Sequence, residues 1–473
     1  MKSKFINLLK AQSLRYVPFA DAASTELPIG KLLRLSLFQA VIGMITALLV
    51  GTLNRVMIVE LGMPAWLVAL AVAIPVVFAP LRALIGYRSD THPSALGLKR
   101  IPYMWMGTLL LFGGLAIMPF ALLLLSDPPP NTEWLGMIGV TLSFVLVGFG
   151  MQVTQTAGMA LASDLSDDEK RPRVVALLYS MLLLGMIASS IVFGVFLTDF
   201  TPTHLIQVIQ GCAVVVVIFN LMSLWKQEAR ADKRGPREDK GFQKNWQRLL
   251  NQHGMKRFLW TVGLGTAAFS MQDIILEPFG AEVLGLDVSM TSSLTALSAA
   301  GSLLAFYLSS VWLSKGMDPC RLASAGVLLG LPAFACVIFS APLDSALLFR
   351  TGTSLIGFSG GLFSVGMLIT AMTFSEESLA GLVLGAWGAV QATASGLAMA
   401  AGGFLRDLIG HLASSGALGS SLDSPATAYS FVYHIEIYML FAVLIALGPL
   451  VRSIRQTQAN TSRASFGLAE LPS

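Results

Sequence analysis

The chain has 473 residues, of which 55% are hydrophobic and only 12% are charged, with a formal net charge of +4. Soluble globular proteins carry about 25% charged residues, so this composition excludes a water-soluble enzyme. Three cysteines and five histidines occur, without the spacing of a zinc, phosphate-binding or nucleophile motif. We therefore predict an integral membrane protein that is not an enzyme and has no evident metal site.

The N-terminal tail, residues 1–31, is polar and basic. It has no continuous apolar core before residue 32, so it is not predicted to be a cleaved signal peptide. Ile6, Leu9 and Val17 fall near one face of a hypothetical helix. This pattern leaves two interpretations open, a helix lying in the membrane interface and a disordered tail.

Apolar segments long enough to span a bilayer, which takes about 20 residues, then follow one another along the chain. There are twelve of them, at 33–58, 64–85, 103–125, 134–162, 174–197, 205–225, 258–280, 289–313, 321–341, 346–373, 381–409 and 429–451. Only helices and closed barrels satisfy their backbone in lipid, and these segments lack the alternation of barrel strands. The sequence predicts an all-α integral membrane protein with 12 transmembrane helices.

The basic residues predict the orientation of these helices. All but three of the 31 Lys and Arg residues lie in loops and helix ends on one side, the exceptions being Arg55, Arg350 and Arg406. Positive residues mark the cytoplasmic side. Because the number of spans is even, both termini are expected to be cytoplasmic.

A basic stretch at 226–257 separates the first six segments from the last six. A weak repeat supports two halves, since FLTDF ends the fifth segment and FLRDL ends the eleventh. This organisation is typical of the major facilitator superfamily fold. We predict a tail at 1–31, a six-helix bundle at 32–225, a cytoplasmic linker at 226–257, a second bundle at 258–451 and a cytoplasmic tail at 452–473. The linker is expected to face anionic lipid, not nucleic acid.

The loop after the second segment carries a degenerate facilitator motif of the form G-x-x-x-D-R-x-G-R-R. Gly86 and Asp90 keep their spacing, whereas Lys99 and Arg100 are displaced by a six-residue insertion. The motif either clamps helix ends together or gates two conformations. Glycines crowd the tenth and eleventh segments, which predicts close helix packing.

Intramembrane carboxylates are the most informative feature of the sequence, because a charge in lipid costs about 2.5 to 3.5 kcal/mol. Asp273 and Glu277 are four residues apart just before Pro278, which places both carboxylates on one helical face. Glu436 lies in the twelfth segment. One interpretation pairs these acids with Arg55, Arg350 and Arg406 as structural salt bridges, and the other makes Asp273 and Glu277 a proton-coupling or ligand site.

His434 is the only histidine well inside a predicted span. Its imidazole either bonds to the neighbouring Glu436 or ligates the magnesium of a chlorin. Gln272 adds a neutral polar group beside the acids.

Five sequence blocks together resemble one known family. They are LNRVMIVELG at 53–62, APLRALIGYRSDTH at 79–92, GGLAIMPFALLLL at 113–125, MQDIILEPFGAEVLGL at 271–286 and LGAWGAVQATASGLAMAAGGFLRD at 384–407. The chain is similar to the PucC and LhaA proteins, the bacteriochlorophyll-delivery branch of the major facilitator superfamily, from about residue 17 to 452. The family's motifs correspond to Asn54, Arg55 and Glu60 and to Gln272, Asp273, Glu277 and Pro278.

This resemblance implies an assembly factor for the light-harvesting antennas LH1 or LH2 in the bacterial inner, intracytoplasmic photosynthetic membrane. It implies that the α and β antenna polypeptides and antenna or reaction-centre assembly intermediates are partners, together with chlorophyll synthase and the membrane insertion machinery. It also implies that bacteriochlorophyll is delivered. Two other interpretations stay open, a proton-coupled transporter of a small solute or tetrapyrrole and a structural subunit of the mature antenna.

Overall fold

The computed structural model describes residues 28–77, 85, 98, 100–126, 133–166, 171–227, 242–252, 254–373, 380–419 and 422–460. Within them the first half contains α1 (Ile29–Thr46, continued by π-helical Ala47–Leu53 and Val56–Glu60), α2 (Ala65–Val77), α3 (Ile101–Ser126), α4 (Glu133–Leu165), α5 (Arg171–Phe196) and α6 (Pro202–Leu224). A short helix, α7 (Phe242–Leu250), follows in the predicted linker.

The second half contains α8 (Met255–Ser270), a 3₁₀ turn (Met271–Ile274), α9 (Leu276–Glu282), α10 (Val288–Ser314), α11 (Pro319–Ser340), α12 (Ala346–Thr373), α13 (Ala380–Ser414) and α14 (Pro425–Asn460). A helix lies at each of the twelve predicted segments. Ten helices are long and apolar enough to cross a membrane in the described part of the chain. The chain is thus an all-helical, multi-pass membrane protein, while twelve spans and cytoplasmic termini stay predictions.

Helix pairing repeats between the two sets of helices. In the first set α3 packs on α4 and α6, and α1 packs on α5 and α6; in the second α11 packs on α12 and α14, and α8 packs on α13 and α14. Two long contacts join the sets, α2 with α13 and α5 with α10. These two contacts are called the α2–α13 seam and the α5–α10 seam.

Small residues bring α10 and α12 together. A Cβ on Gly301 would meet the carbonyl of Ser354, and one on Gly357 would meet the carbonyl of Ser298. Gly301 of the eighth segment and Gly357 of the tenth therefore permit backbone contact, and the close packing of the tenth segment is as the sequence predicts. The end of the bundle with Ile29 and Met255 is called the basal face, and the end with Glu60, Trp66 and Glu282 the distal face.

Candidate functional site

The candidate site lies where α1 meets the break between α8 and α9. Pro278 has no N–H and cannot donate to the carbonyl of Ile274, which is four residues earlier, so a regular helix cannot run through this point. Asn54, between the two π-helical stretches of α1, donates from Nδ2 to the carbonyl oxygens of Asp273 at 3.1 Å and of Ile274 at 3.2 Å. The first half of the chain thus supplies the donors that the broken helix lacks.

A helix break lies between the two acids that the sequence predicts on one helical face. Asp273 lies in the 3₁₀ turn and Glu277 in the first turn of α9. Glu277, 2% exposed, accepts a hydrogen bond from Thr295 Oγ1 of α10 at 2.5 Å. Asp273 is half-buried and accepts one from Gln272 Nε2 at 2.5 Å. The two carboxylates consequently have different partners.

A cavity of about 270 Å³ lies beside Asp273, on its basal side. Its polar lining comes from both halves and includes Tyr179, Gln272, Ser298, Ser302, Ser364 and Gln391. Phe269 and Trp387 add aromatic surface, and Gly357, Gly360 and Gly361 leave the α12 wall open. A concave site with a few convergent polar groups between two helix bundles is suited to a small amphipathic ligand.

The predicted salt bridges between the intramembrane acids and bases are wrong. Arg55 binds Glu60 at 2.5 Å, although it also lies within electrostatic reach of Glu277. Arg406 binds Glu282 at 2.5 Å. Arg350 has a buried Nε without a hydrogen-bond partner in the described chain. Arg55 and Arg406 therefore pair with acids at the distal face, Glu60 and Glu282, and not with the acids in the middle of the membrane.

Arg406 is the centre of a charged network at the distal face. It donates to Asp407 Oδ1 at 2.7 Å and to the Tyr429 hydroxyl at 3.0 Å, and that hydroxyl donates to Glu282 at 2.7 Å. The other oxygen of Asp407 accepts the backbone N–H of Trp66 at 2.6 Å. An acid of α13 therefore caps the N-terminus of α2, in the way an N-cap side chain normally does within one helix.

His434 and Glu436 do not bond to each other, contrary to the prediction. Two residues on a helix differ by about 200°, so Glu436 points inward with 0% exposure while His434 is exposed on the outer surface of α14. The Nδ1 of His434 lies 2.6 Å from the carbonyl oxygen of Ser430. A carbonyl only accepts, so Nδ1 carries the proton and Nε2 of the neutral ring keeps its lone pair.

Within the degenerate loop motif, only Arg100 belongs to the described chain; Gly86, Asp90 and Lys99 lie outside it. Arg100 is 6% exposed and donates from Nε to Asp164 Oδ2 at 3.0 Å. This bond clamps the start of α3 to the end of α4. No group of three or more His, Cys, Asp or Glu residues with metal-site geometry occurs in the described ranges.

Several residues of the site were not among the sequence candidates. Trp387 and Tyr179 line the cavity, and Glu282, Tyr429 and Asp407 build the distal network. Asp407 carried a signal, since it belongs to the repeated FLRD segment. The others are ordinary residues of apolar helices, and only tertiary packing brings them together.

Comparison with known proteins identifies relatives over nearly the whole chain. A family model described as "PUCC protein" matches residues 52–454. The chain is 48% identical to an uncharacterized protein of the puhA-bchM intergenic region of Rhodobacter capsulatus, over 98% of both chains. It is 49% identical to Protein PucC of Rhodovulum sulfidophilum, over 85% of this chain and 91% of that one.

Among solved structures, the nucleoside transporter NupG (D323A mutant) superposes with a TM-score of 0.66 at 14% identity. The match covers 88% of this chain and 98% of the transporter. At this identity the likeness concerns the fold alone, and it places the chain among proteins with the fold of major facilitator transporters.

Proposed function

Because the chain belongs to the PucC family, we propose that it is an assembly factor for a bacterial light-harvesting antenna, LH1 or LH2. It helps to insert or oligomerise the α and β polypeptides and catalyses no covalent reaction. Its place is the inner, intracytoplasmic photosynthetic membrane, with twelve spans and both termini in the cytoplasm. Its partners are those polypeptides and assembly intermediates of the antenna or reaction centre, with chlorophyll synthase and the insertion machinery alongside.

The family match over residues 52–454 is the observation that carries this proposal. The local structure supports it, since the Gln272–Pro278 block typical of the family forms the helix break and holds α1 through Asn54. In the mechanism that we favour, this break and the distal network hold one conformation. The lipid-facing surfaces of the bundle then receive single-span antenna helices or free pigment.

Bacteriochlorophyll is the pigment that such a factor would carry, and His434 fits its requirements. A neutral imidazole nitrogen could hold the magnesium of a chlorin, and a bond from the other ring nitrogen would fix the tautomer. Nδ1 of His434 makes that bond to Ser430, and the ring is exposed. Phe431, Tyr438 and Phe441 are also exposed on this helix face and offer aromatic surface beside the imidazole.

Deletion of the gene tests the proposal. A strain without the chain is expected to lose antenna absorption in the near infrared while its pigment synthesis continues, and a plasmid copy should restore the bands. Unchanged antenna levels in the deletion strain would contradict an assembly role. Enrichment of the tagged protein in mature antenna at fixed stoichiometry would instead indicate a structural subunit.

A second candidate function is proton-coupled transport of a small solute or tetrapyrrole, and the cavity beside Asp273 favours it. This cavity lies between the two halves, on the basal side of contacts that close the distal face, as alternating access requires. Uptake of solute into vesicles driven by a proton gradient would support transport. Co-purification with antenna polypeptides and bound pigment, without uptake, would support assembly.

A further inference from the structure

Glu436 presents an unusual electrostatic situation in the interior of the second half. The residue is 0% exposed, and neither of its carboxylate oxygens has a hydrogen-bond partner in the described chain. The backbone N–H of Gln272 lies near enough to favour the charged form of Glu436, although outside normal hydrogen-bond geometry, and the carboxylate of Asp273 is an electrostatic neighbour. No Lys or Arg forms a salt bridge with Glu436 or Asp273 in the ranges described. A buried carboxylate without a counter-charge is strongly unfavourable.

Other oxygen atoms around Glu436 are also left without partners. The Tyr433 hydroxyl is buried and unpaired, and it lies within electrostatic reach of both Glu436 and Asp273. The Oε1 atom of Gln272 is likewise buried and unpaired, while its Nε2 bonds to Asp273. Among the described residues, the unpaired atoms of this cluster are thus four oxygens: two of Glu436, one of Gln272 and one of Tyr433. One proton would satisfy few of them, whereas a metal cation accepts several oxygen ligands at once.

The break in the helix beside Glu436 is of a kind that binds ions in other membrane proteins. Gln272 and Asp273 lie in the 3₁₀ turn that interrupts the helix between Ser270 and Leu276, and broken transmembrane helices bind Na⁺ or H⁺ in transporters of several folds. Asp273 and Gln272 also line the 270 Å³ cavity, so this cavity lies directly beside the turn.

We propose that Glu436, with oxygen atoms of Gln272, Tyr433 and Asp273, binds one Na⁺ ion. A monovalent ion matches the charge of the one fully buried carboxylate in this cluster, Glu436. Asp273 is half-buried and lines the cavity. The inference does not depend on the proposed function, since a bound ion would stabilise the bundle in an assembly factor and in a transporter alike.

Ligand-dependent stability tests this site, because an ion that binds only the folded protein raises its melting temperature. The full chain, purified in mild detergent, is heated at constant pH and ionic strength in mixtures of NaCl and choline chloride. We expect Tm to rise with Na⁺ and to saturate. Trp387, which lines the cavity with Asp273, should change its fluorescence over the same concentration range.

Two variants locate the ion. Glu436→Gln should abolish the dependence of Tm on Na⁺, with Tm in choline unchanged or higher because the buried charge is gone. Tyr433→Phe removes one ligand oxygen and should weaken the apparent Na⁺ affinity by about fivefold. Tyr438→Phe, on the same helix but 68% exposed, is the matched control and should behave as the wild type.

The proposal is overturned if wild-type Tm responds equally to Na⁺ and choline, or only to pH. It is also overturned if Ca²⁺ stabilises the chain at lower concentration than Na⁺, since the site would then be divalent. The ion would lie elsewhere if Tm of Tyr433→Phe rose with Na⁺ as in the wild type while Tm of Tyr438→Phe no longer responded to Na⁺. The assembly proposal is tested separately, by antenna levels in cells. A negative result for Na⁺ binding would therefore not bear on it.

Discussion

His434 and Glu436 are two residues apart on α14 and lie in opposite surroundings. His434 is on the outer surface, with Nδ1 committed to the Ser430 carbonyl, and Glu436 is enclosed among unpaired oxygens. The helical twist alone separates them. The two residues therefore have different roles, His434 toward the lipid and Glu436 toward the interior of the bundle.

Replacement of His434 tests its role toward pigment. If His434 is the proposed ligand, His434→Phe should weaken binding of bacteriochlorophyll to the purified protein by about tenfold, because the imidazole is lost while apolar surface is kept. Binding of the magnesium-free bacteriopheophytin, which has no metal to ligate, should not change. Absorption titrations measure the affinity of the wild type and of the variant for each of the two pigments.

The matched control for His434 is His204, whose Nδ1 also lies close to a backbone carbonyl, that of Asp199 at 2.8 Å, but at the start of α6. His204→Phe should leave both pigments unaffected. Equal losses for the two pigments in His434→Phe would mean that the ring contributes contact area only, and the ligand assignment would be wrong.

At the scale of elements, the break between α8 and α9 depends on a residue of another helix. Pro278 removes the donor for Ile274, and Asn54 of α1 replaces it. The π-helical turns on either side of Asn54 are a helix form that is concentrated at functional sites. Two irregular helices thus meet at their irregular points and satisfy each other's backbone.

Asn54→Leu should therefore destabilise the chain by about 1 to 3 kcal/mol, since it removes the donor to the buried carbonyl of Ile274 and to the partly buried carbonyl of Asp273. Thermal unfolding in detergent measures the effect. Thr46→Val is the control on the same helix, because Thr46 bonds only to the carbonyl of Ile42 one turn earlier; it should cost well under 1 kcal/mol. Equal stability of the two variants would show that the break does not need Asn54.

Hydropathy was sufficient to locate the helices, since lipid demands long apolar segments, and the ends of most agree within a few residues. The 3₁₀ turn could also have been anticipated from Pro278. The hydrogen-bond partners could not be predicted from the sequence, because Asn54 and Ile274 are 220 residues apart and Trp66 and Asp407 are 341 residues apart. Sequence spacing fixes which face of a helix a residue occupies, but charge pairing across helices depends on how those faces dock.

At the scale of the whole molecule, the two seams between the halves differ at the distal face. In the α2–α13 seam, Asp407 of one half caps the helix that begins at Ala65 in the other. In the α5–α10 seam, α10 is capped by its own Asp287, which accepts from the N–H of Met290 at 2.6 Å. The α2–α13 seam therefore contains a hydrogen bond between the halves, from the Trp66 N–H to Asp407, which is called the latch. The corresponding cap in the α5–α10 seam, Asp287, lies in the same half as the helix that it caps.

Asp407→Ala should release this latch. An N-cap bond is worth about 1 kcal/mol, so the equilibrium between closed and open distal faces should shift about fivefold toward open. Spin labels at Thr203 and Asp423, introduced after replacement of the three cysteines, report the distance between the halves. The variant should populate longer distances than the parent.

Asp199 is the matched control for the latch, because it holds the same place in the repeated segment of the first half. Asp199→Ala should leave the distance distribution unchanged. A longer distance in this control, or none in Asp407→Ala, would mean that the bond to Trp66 does not hold the distal face closed.

The donor in this latch is the main-chain amide of Trp66, so the two residues of the bond differ in their sensitivity to mutation. Almost every codon at position 66 still encodes an N–H, so the contact is insensitive to mutation on the α2 side, proline excepted. Of the two residues that form the bond, only Asp407 contributes a side chain. Random mutagenesis screened for altered distal opening should therefore yield many alleles at Asp407 and almost none at Trp66, although both residues form the same bond.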